Sequence, residues 1–69
     1  MEWHRIQGSW KQYMGSARLQ WGRISVDELD LIGGRRDTLA GQIQEVYGIT
    51  KAEADRQVEF WRGQQKEMG

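Results

Sequence analysis

Apolar side chains recur along the chain at intervals of three and four residues, which is the spacing of one face of an α-helix. Three long stretches show this periodicity, and a shorter one lies between the first two. No alternating apolar and polar pattern of useful length is present, so the sequence predicts an all-α fold of four short helices. The apolar positions are Trp10, Met14, Ala17 and Trp21; Val26, Leu29 and Ile32; Leu39, Ile43 and Val46; Ala54, Val58 and Trp61.

The punctuation between the predicted helices occurs in two similar copies. Gly22 and Gly48 each follow an apolar stretch, at a position where a left-handed glycine closes a helix. A hydroxyl residue and a glutamate follow at capping-box spacing, as "SVDE" at 25–28 and "TKAE" at 50–53. In such a box the hydroxyl accepts a hydrogen bond from a backbone N–H of the first helical turn. Two corners of this kind predict two α-hairpins related by an approximate internal duplication.

The other helix ends are marked more simply. Ser9 is the predicted N-cap of the first helix, and the glycine pair 33–34 ends the second. The whole chain, 1–69, is then one small helical domain. Segments 1–8 and 63–69 fall outside the clearest periodicity and are expected to be less ordered.

Four residues outside the apolar stripes need a separate explanation. Leu19 lies opposite the first stripe and is interpreted as an exposed leucine, with a role in a contact surface as the alternative. Trp3 precedes the first helix and is a candidate exposed indole. Gly15 and Gly41 stand inside helices at corresponding positions of the two halves. Close packing of the two hairpins is the favoured explanation, and a smooth face for a partner helix is the alternative.

Composition limits the classes of protein. The chain has 69 residues, no cysteine and a formal net charge of zero, with 10 basic and 10 acidic residues. Disulfides and thiolate metal sites are therefore excluded. The N-terminal sequence has no signal-like apolar region, and no apolar run approaches the ~20 residues that span a bilayer. We expect a cytoplasmic monomer that is not associated with membranes.

The residues suited to catalysis are few. His4 is the single histidine, and it lies in the N-terminal segment without a partnered nucleophile. The acidic residues at 27, 28 and 30 are better explained by capping and solvation of a short helix than by a metal site. No phosphate-binding glycine motif occurs. The sequence predicts no catalytic, cofactor-binding or metal-ligating residue, no cofactor, and a protein that is not an enzyme.

One stretch suggests an alternative function. "YGITKAEADRQV" resembles half of a helix-hairpin-helix DNA-binding element, with Thr50 in place of its second glycine. On this alternative, the turn at Gly48–Lys51 binds nucleic acid weakly, with Lys51, Arg56 and Arg62 as phosphate contacts. A net charge of zero disfavours nucleic-acid binding, because phosphate neutralisation supplies most non-specific affinity.

An ordered series of tryptophans and glycines resembles a known family. The series is "W..I.G.WKQ..G" from Trp3, "QWG" from Gln20, "G.RD.L.G.IQE.YGI" from Gly34 and "A...V..W" from Ala54. It covers residues 3–62 and resembles the CsbD-like bacterial stress-response proteins. Departures are small, such as Leu19 at a position that is usually polar.

The resemblance implies a small cytoplasmic protein that accumulates under general stress or in stationary phase. It also implies a SAM-domain-like fold, in which four helices form two hairpins packed orthogonally. It implies no established enzymatic activity, and the family offers no agreed site residues to carry over. The resulting hypothesis is a non-enzymatic stress-response protein that acts through its surface, by contact with an unknown protein partner or, as the alternative, as an abundant protective solute.

Overall fold

The computed structural model describes residues 2–65, and it builds them from five α-helices joined by short turns. Within residues 2–65 there is no strand, so the predicted all-α class is confirmed. Four helices have seven or more residues, as the periodicity predicted, and a shorter one precedes them. The helices are α1 (Trp3–Gly8), α2 (Trp10–Gln20), α3 (Val26–Ile32), α4 (Arg36–Tyr47) and α5 (Lys51–Gln64).

Helix α1 is the element that the sequence pattern missed. Ile6 is completely buried, and Trp3 is half-buried rather than exposed. The Trp3 indole donates a 2.8 Å hydrogen bond to the carbonyl oxygen of Gly34, and its ring meets the Trp61 ring edge-on at 6.0 Å. These contacts reach across the chain, so a local pattern could not indicate them. The reduced order expected of 1–8 and 63–69 stays a prediction, and residues 66–69 lie outside the described residues.

The hydroxyl caps form as predicted at both corners. Ser25 Oγ accepts from the Glu28 backbone N–H at 3.1 Å, and Thr50 Oγ1 accepts from the Glu53 N–H at 3.1 Å. The two glutamate side chains face other partners: Gln42 donates to Glu28, and Arg56 pairs with Glu53. Ser9 stands at the predicted N-cap position of α2, but its side chain makes no capping hydrogen bond.

The glycines at the corners differ. Gly48 adopts φ 64° and Gly33 adopts φ 62°, so both end helices in the left-handed conformation, as predicted. Gly22 has no positive φ, and the prediction that it closes α2 in this way is wrong. Helix α2 ends one residue earlier, where the Trp21 N–H donates to the Ala17 carbonyl at 2.8 Å.

The core is a single cluster of buried apolar side chains contributed by all five helices and by the first corner. Every predicted stripe contributes to it, although Val26 is half-exposed and Met14 and Val46 lie only partly inside. The buried residues are Ile6, Trp10, Tyr13, Ala17, Trp21, Ile24, Leu29, Ile32, Leu39, Ala40, Ile43, Ala54, Val58 and Trp61. The predicted burial of Trp10, Trp21 and Trp61 is therefore confirmed.

Trp61 lies among four other aromatic rings. The Trp21 ring is 5.7 Å away, and those of Trp3, Trp10 and Tyr13 lie at 6.0, 6.2 and 6.5 Å. Most of these pairs are edge-to-face, the arrangement that the ring quadrupole favours. Helix α5 thus brings one indole into contact with α1, with α2 and with the first corner.

The indole N–H groups fix the helices against one another. Trp10 Nε1 donates to the Leu29 carbonyl at 2.7 Å and so joins α2 to α3. Trp61 Nε1 donates to Ser16 Oγ at 3.1 Å, which joins α5 to α2. Buried indole donors need such partners, because an unpaired donor in a core is costly.

Adjacent helices pack in the pairs expected from the duplication, α2 against α3 and α4 against α5. The two halves share one pattern of burial. In three pairs of positions that are 26 residues apart, both residues are buried. The pairs are Ile6 with Ile32, Tyr13 with Leu39, and Ala17 with Ile43. In this correspondence α2 is the counterpart of α4.

Candidate functional site

The nucleic-acid hypothesis places the binding site at the turn between α4 and α5. It requires free backbone N–H groups there. The N–H groups of Gly48 and Ile49 both donate to the Gln44 carbonyl, at 2.9 and 3.3 Å. Thr50 accepts from the Glu53 N–H in the cap. The N–H groups of Gly48, Ile49 and Glu53 are thus already used to end one helix and begin the next.

The three predicted phosphate contacts are ion-paired along α5. Lys51 Nζ lies 3.2 Å from Asp55, Arg56 pairs with Glu53, and Arg62 Nε lies 3.0 Å from Glu59. Each acid lies three or four positions from its cation, where helical side chains meet.

The same residues do not converge on one surface. At 3.6 residues per turn, Arg56 points about 140° around the helix from Lys51, and Arg62 lies about 16 Å further along the axis than Lys51. The structure therefore does not bring the three cations together as a cluster.

The ion pairs lower the pKa of the two glutamates, as expected for carboxylates beside cations. The Arg56 hydrogen bond holds the pKa of Glu53 below its usual value, and Glu53 in turn raises the pKa of Arg56. The Arg62 hydrogen bond lowers the pKa of Glu59, with a further charge contribution from Arg36 at 2.8 Å. Arg56 is exposed and the other groups are half-exposed, so each pair contributes little to stability.

An open groove of about 540 Å³ lies where the α1–α2 junction meets the end of α3. Lys11 and Asp30 are its charged lining residues, and Trp10 contributes part of its wall. The Trp10 indole N–H already donates to Leu29, so it is not available to a ligand. The other lining residues are polar or are glycines, namely Gln7, Gly8, Ser9, Gln12 and Gly33.

His4 lies on α1, away from the groove lining. Its Nδ1 is 3.1 Å from a Glu2 carboxylate oxygen, and both side chains are largely exposed. Among residues 2–65, no group of three histidine or acidic side chains could hold a metal ion.

Large apolar side chains stand exposed on three helices. Leu19 on α2 is 89% exposed, Leu31 on α3 is 77% exposed and Phe60 on α5 is 61% exposed. The predicted exposure of Leu19 is confirmed. Sequence reasoning did not single out Leu31 or Phe60, although each lies two positions from a stripe residue and therefore on the far side of its helix.

The two helical glycines face open space. Gly15 and Gly41 are exposed, and an added Cβ at either would meet no atom within 4 Å. The favoured explanation, close packing between the hairpins, is therefore wrong. The alternative, a smooth face for a partner helix, is the one that agrees with the geometry.

The fold and surface define a small all-helical protein with a tryptophan-rich core, locally paired charges and exposed apolar side chains. A family model described as CsbD-like matches residues 4–56. The UPF0337 protein ECA0631 of Pectobacterium atrosepticum is 44% identical over 62 residues, which is 90% of each chain. The UPF0337 protein YjbJ of Escherichia coli K12 is 44% identical over 54 residues, or 78% of each chain. The chain belongs to the CsbD-like family.

A third relative shows the same identity. The UPF0337 protein RPA4217 of Rhodopseudomonas palustris is 44% identical over 61 residues, covering 88% of this chain and 92% of that protein. No solved structure matches the chain. Among the helices of residues 2–65, none has both the length and the apolar character needed to cross a membrane.

Proposed function

We propose that this protein is a non-enzymatic, cytoplasmic stress-response protein that acts through surface contacts with other proteins. The observation that carries the proposal is the exposure of Leu19, Leu31 and Phe60 on three different helices. Contact with a partner would remove these apolar side chains from water, which is favourable. The resemblance to bacterial stress-response proteins supplies the physiological setting.

The non-enzymatic part of the proposal is supported by where the shifted titratable groups lie. Glu53, Arg56 and Glu59 form ion pairs on the exposed side of α5. Glu53 and Arg56 line a small open pocket of about 290 Å³ with Thr50 and Ala52. Their shifted pKa values nonetheless have a simple local cause, the ion pair between them, and need no catalytic role. The open groove beside Trp10 holds none of them.

Nucleic-acid binding at the Gly48–Lys51 turn is the less favoured alternative. The N–H groups of Gly48, Ile49 and Glu53 are used internally, and Lys51, Arg56 and Arg62 are ion-paired. A titration of purified protein with duplex and single-stranded DNA tests it. Phosphate binding requires an affinity that falls steeply as salt is added. The absence of any mobility shift at low salt would exclude this alternative.

Capture from stressed cells tests the leading proposal. Tagged protein is expressed at native level, cells are taken in exponential phase and in stationary phase, and captured proteins are identified. We expect a reproducible partner that is lost in at least one of Leu19→Lys, Leu31→Lys and Phe60→Lys. Gln20→Lys, at an exposed polar position on α2, is the matched control and should retain the partner.

Two results would contradict the proposal. One is a set of captured proteins that does not differ between the wild-type chain and the three lysine variants. The other is a protein level that stays constant between exponential growth and stress. Cell fractionation in the same experiment checks the cytoplasmic location.

A further inference from the structure

The outward side of α2 carries unpaired positive charge. Lys11, Gly15, Arg18 and Leu19 are all exposed, and at 3.6 residues per turn they share about a third of the helix circumference. These four residues are termed the α2 outer face. Within residues 2–65, neither Lys11 nor Arg18 has an acidic partner.

The outward side of α4 carries unpaired negative charge. Asp37, Gly41 and Glu45 are exposed and follow one another at intervals of four residues, so they lie on one side of the helix. These three residues are termed the α4 outer face. In the part of the chain that the structure describes, neither carboxylate has a basic partner.

The two outer faces are counterparts in the internal duplication. The offset that relates the buried positions of the two halves also relates the faces, pairing Lys11 with Asp37, Gly15 with Gly41, and Leu19 with Glu45. The duplication has therefore kept the glycine and reversed the character of its neighbours. One half presents a basic, partly apolar face, and the other presents an acidic face of the same shape.

The charges of α5 differ from those of the two outer faces, because they are paired within the molecule. On α5, the cations at Lys51, Arg56 and Arg62 each have an acid within one helical turn. On the α2 and α4 outer faces, opposite charges lie on separate helices and do not meet within one molecule. They are therefore free to meet between molecules.

We propose that a second copy of this chain covers these faces, with the α2 outer face of one copy against the α4 outer face of the next. Opposite charge selects this pairing over α2 against α2 or α4 against α4. The glycines permit it, because an added Cβ at Gly15 or Gly41 would meet nothing within 4 Å and no side chain holds the partner helix away. Leu19 loses exposed apolar surface in the same contact.

Helix α3 offers the other unpaired acids, at Asp27 and Asp30. It is a weaker candidate, because it has seven residues and no glycine within it. The α4 outer face is therefore the assigned partner.

The expected association is weak and open-ended. Two helices of 11 and 12 residues bury less surface than a stable dimer requires. A contact between unlike faces leaves one of each free, so dimers extend to larger oligomers as concentration rises. The protein is then a monomer, as the sequence suggested, only when dilute or at high salt. This inference does not rest on the proposed stress role, because purified protein tests it alone.

Analytical ultracentrifugation measures the association directly. Purified full-length protein is examined from about 10 µM to about 1 mM, a range suited to small interfaces. NaCl is varied from about 20 mM to about 500 mM, which shortens the screening length severalfold. We expect the mean mass to rise with protein concentration at low salt, and the association constant to fall at least about tenfold at high salt.

Charge variants locate the contact. Lys11→Glu/Arg18→Glu and Asp37→Lys/Glu45→Lys should each abolish the association. The variant that combines all four changes has the wild-type net charge and complementary faces again, so it should associate.

Gly15→Trp should block the contact sterically. Lys51→Glu/Arg56→Glu and Asp27→Lys/Asp30→Lys make the same changes in net charge elsewhere and should leave the association in place. Thermal unfolding verifies that each variant is folded.

Several outcomes would overturn the inference. The first is a monomer at every concentration and salt. The second is a loss of association that is equal in the face variants and in their net-charge controls. The third is a combined variant that stays monomeric while folded. A loss seen only in Asp27→Lys/Asp30→Lys would place the acidic face on α3 instead.

Discussion

At both helix–turn–helix corners a hydroxyl side chain caps the second helix. The corners differ in how the preceding helix ends. The second corner is locally complete, since Gly48 ends α4 at φ 64° and Thr50 caps α5. The first corner lacks a left-handed glycine, because Gly22 has no positive φ. Its Arg23 N–H donates instead to the Tyr47 hydroxyl at 3.1 Å, and the Arg23 guanidinium lies 5.9 Å from the Tyr47 ring centre. One corner is closed by its own residues and the other by a residue of its counterpart.

Among corresponding positions of the two halves, Gly34 and Gly8 should differ most in the stability that is lost on substitution by alanine. Gly34 has φ 81°, and a Cβ there would lie 2.9 Å from the Gln7 Cα atom, whereas a Cβ at Gly8 meets nothing within 4 Å. Gly34→Ala combines backbone strain with a clash against α1, so we expect a loss of about 2–4 kcal/mol. That is much of the stability of a domain this small. Urea unfolding followed by tryptophan fluorescence measures it.

Gly8→Ala is the matched control for that change. It should be neutral or slightly stabilising, because alanine favours helix over glycine by up to about 1 kcal/mol. Equal losses in the two variants would mean that the close approach of Gly34 to α1 does not exist.

Gly48 and Gly22 give the next largest contrast. Gly48→Val places a β-branched side chain at positive φ and should cost more than the roughly 1–2 kcal/mol of a left-handed residue. Gly22→Ala should stay within about 0.5 kcal/mol, since its Cβ would meet only the Arg18 carbonyl, at 3.9 Å. Thermal unfolding by circular dichroism compares them, and a stable Gly48→Val would disprove the helix stop at Gly48.

The caps should contribute alike. Thr50→Ala and Ser25→Ala each remove a hydroxyl that accepts a 3.1 Å hydrogen bond, so each should cost about 0.5–2 kcal/mol. Serine at Thr50 keeps the acceptor and is the control. Unchanged midpoints in denaturant for either alanine variant would show that its cap is not formed in solution.

The sequence predicted the features whose causes are local. The caps at Ser25 and Thr50 and the stop at Gly48 all depend on residues within a turn or two. The burial of Val58 and Trp61 depends on distant contacts, but the helical spacing of the apolar residues was enough to predict it. The ion pairs of α5 are local as well, and the spacing of its acids and bases was enough to indicate them. These pairs at three and four positions disfavour the nucleic-acid hypothesis, because they occupy the cations that phosphate would need.

The features that the sequence did not predict depend on distant contacts. Helix α1 packs through Trp3, which reaches the carbonyl of Gly34, 31 residues away. Gly15 has the same local sequence context whether its helix face is covered or open, so only the packing of the other helices could decide. The α2 and α4 outer faces were missed for the same reason.

The smallest expected effect tests the contact between the corners. Tyr47→Phe removes the acceptor of the Arg23 N–H but keeps the ring, so it should cost about 0.5–1.5 kcal/mol at most. Amide hydrogen exchange locates this loss better than global unfolding does. Exchange should accelerate at Arg23, while the Gly48 amide, bonded to Gln44 within its own helix, keeps its protection. Equal acceleration at both amides would mean that Tyr47 stabilises its own corner, and the first corner would then need another means of closure.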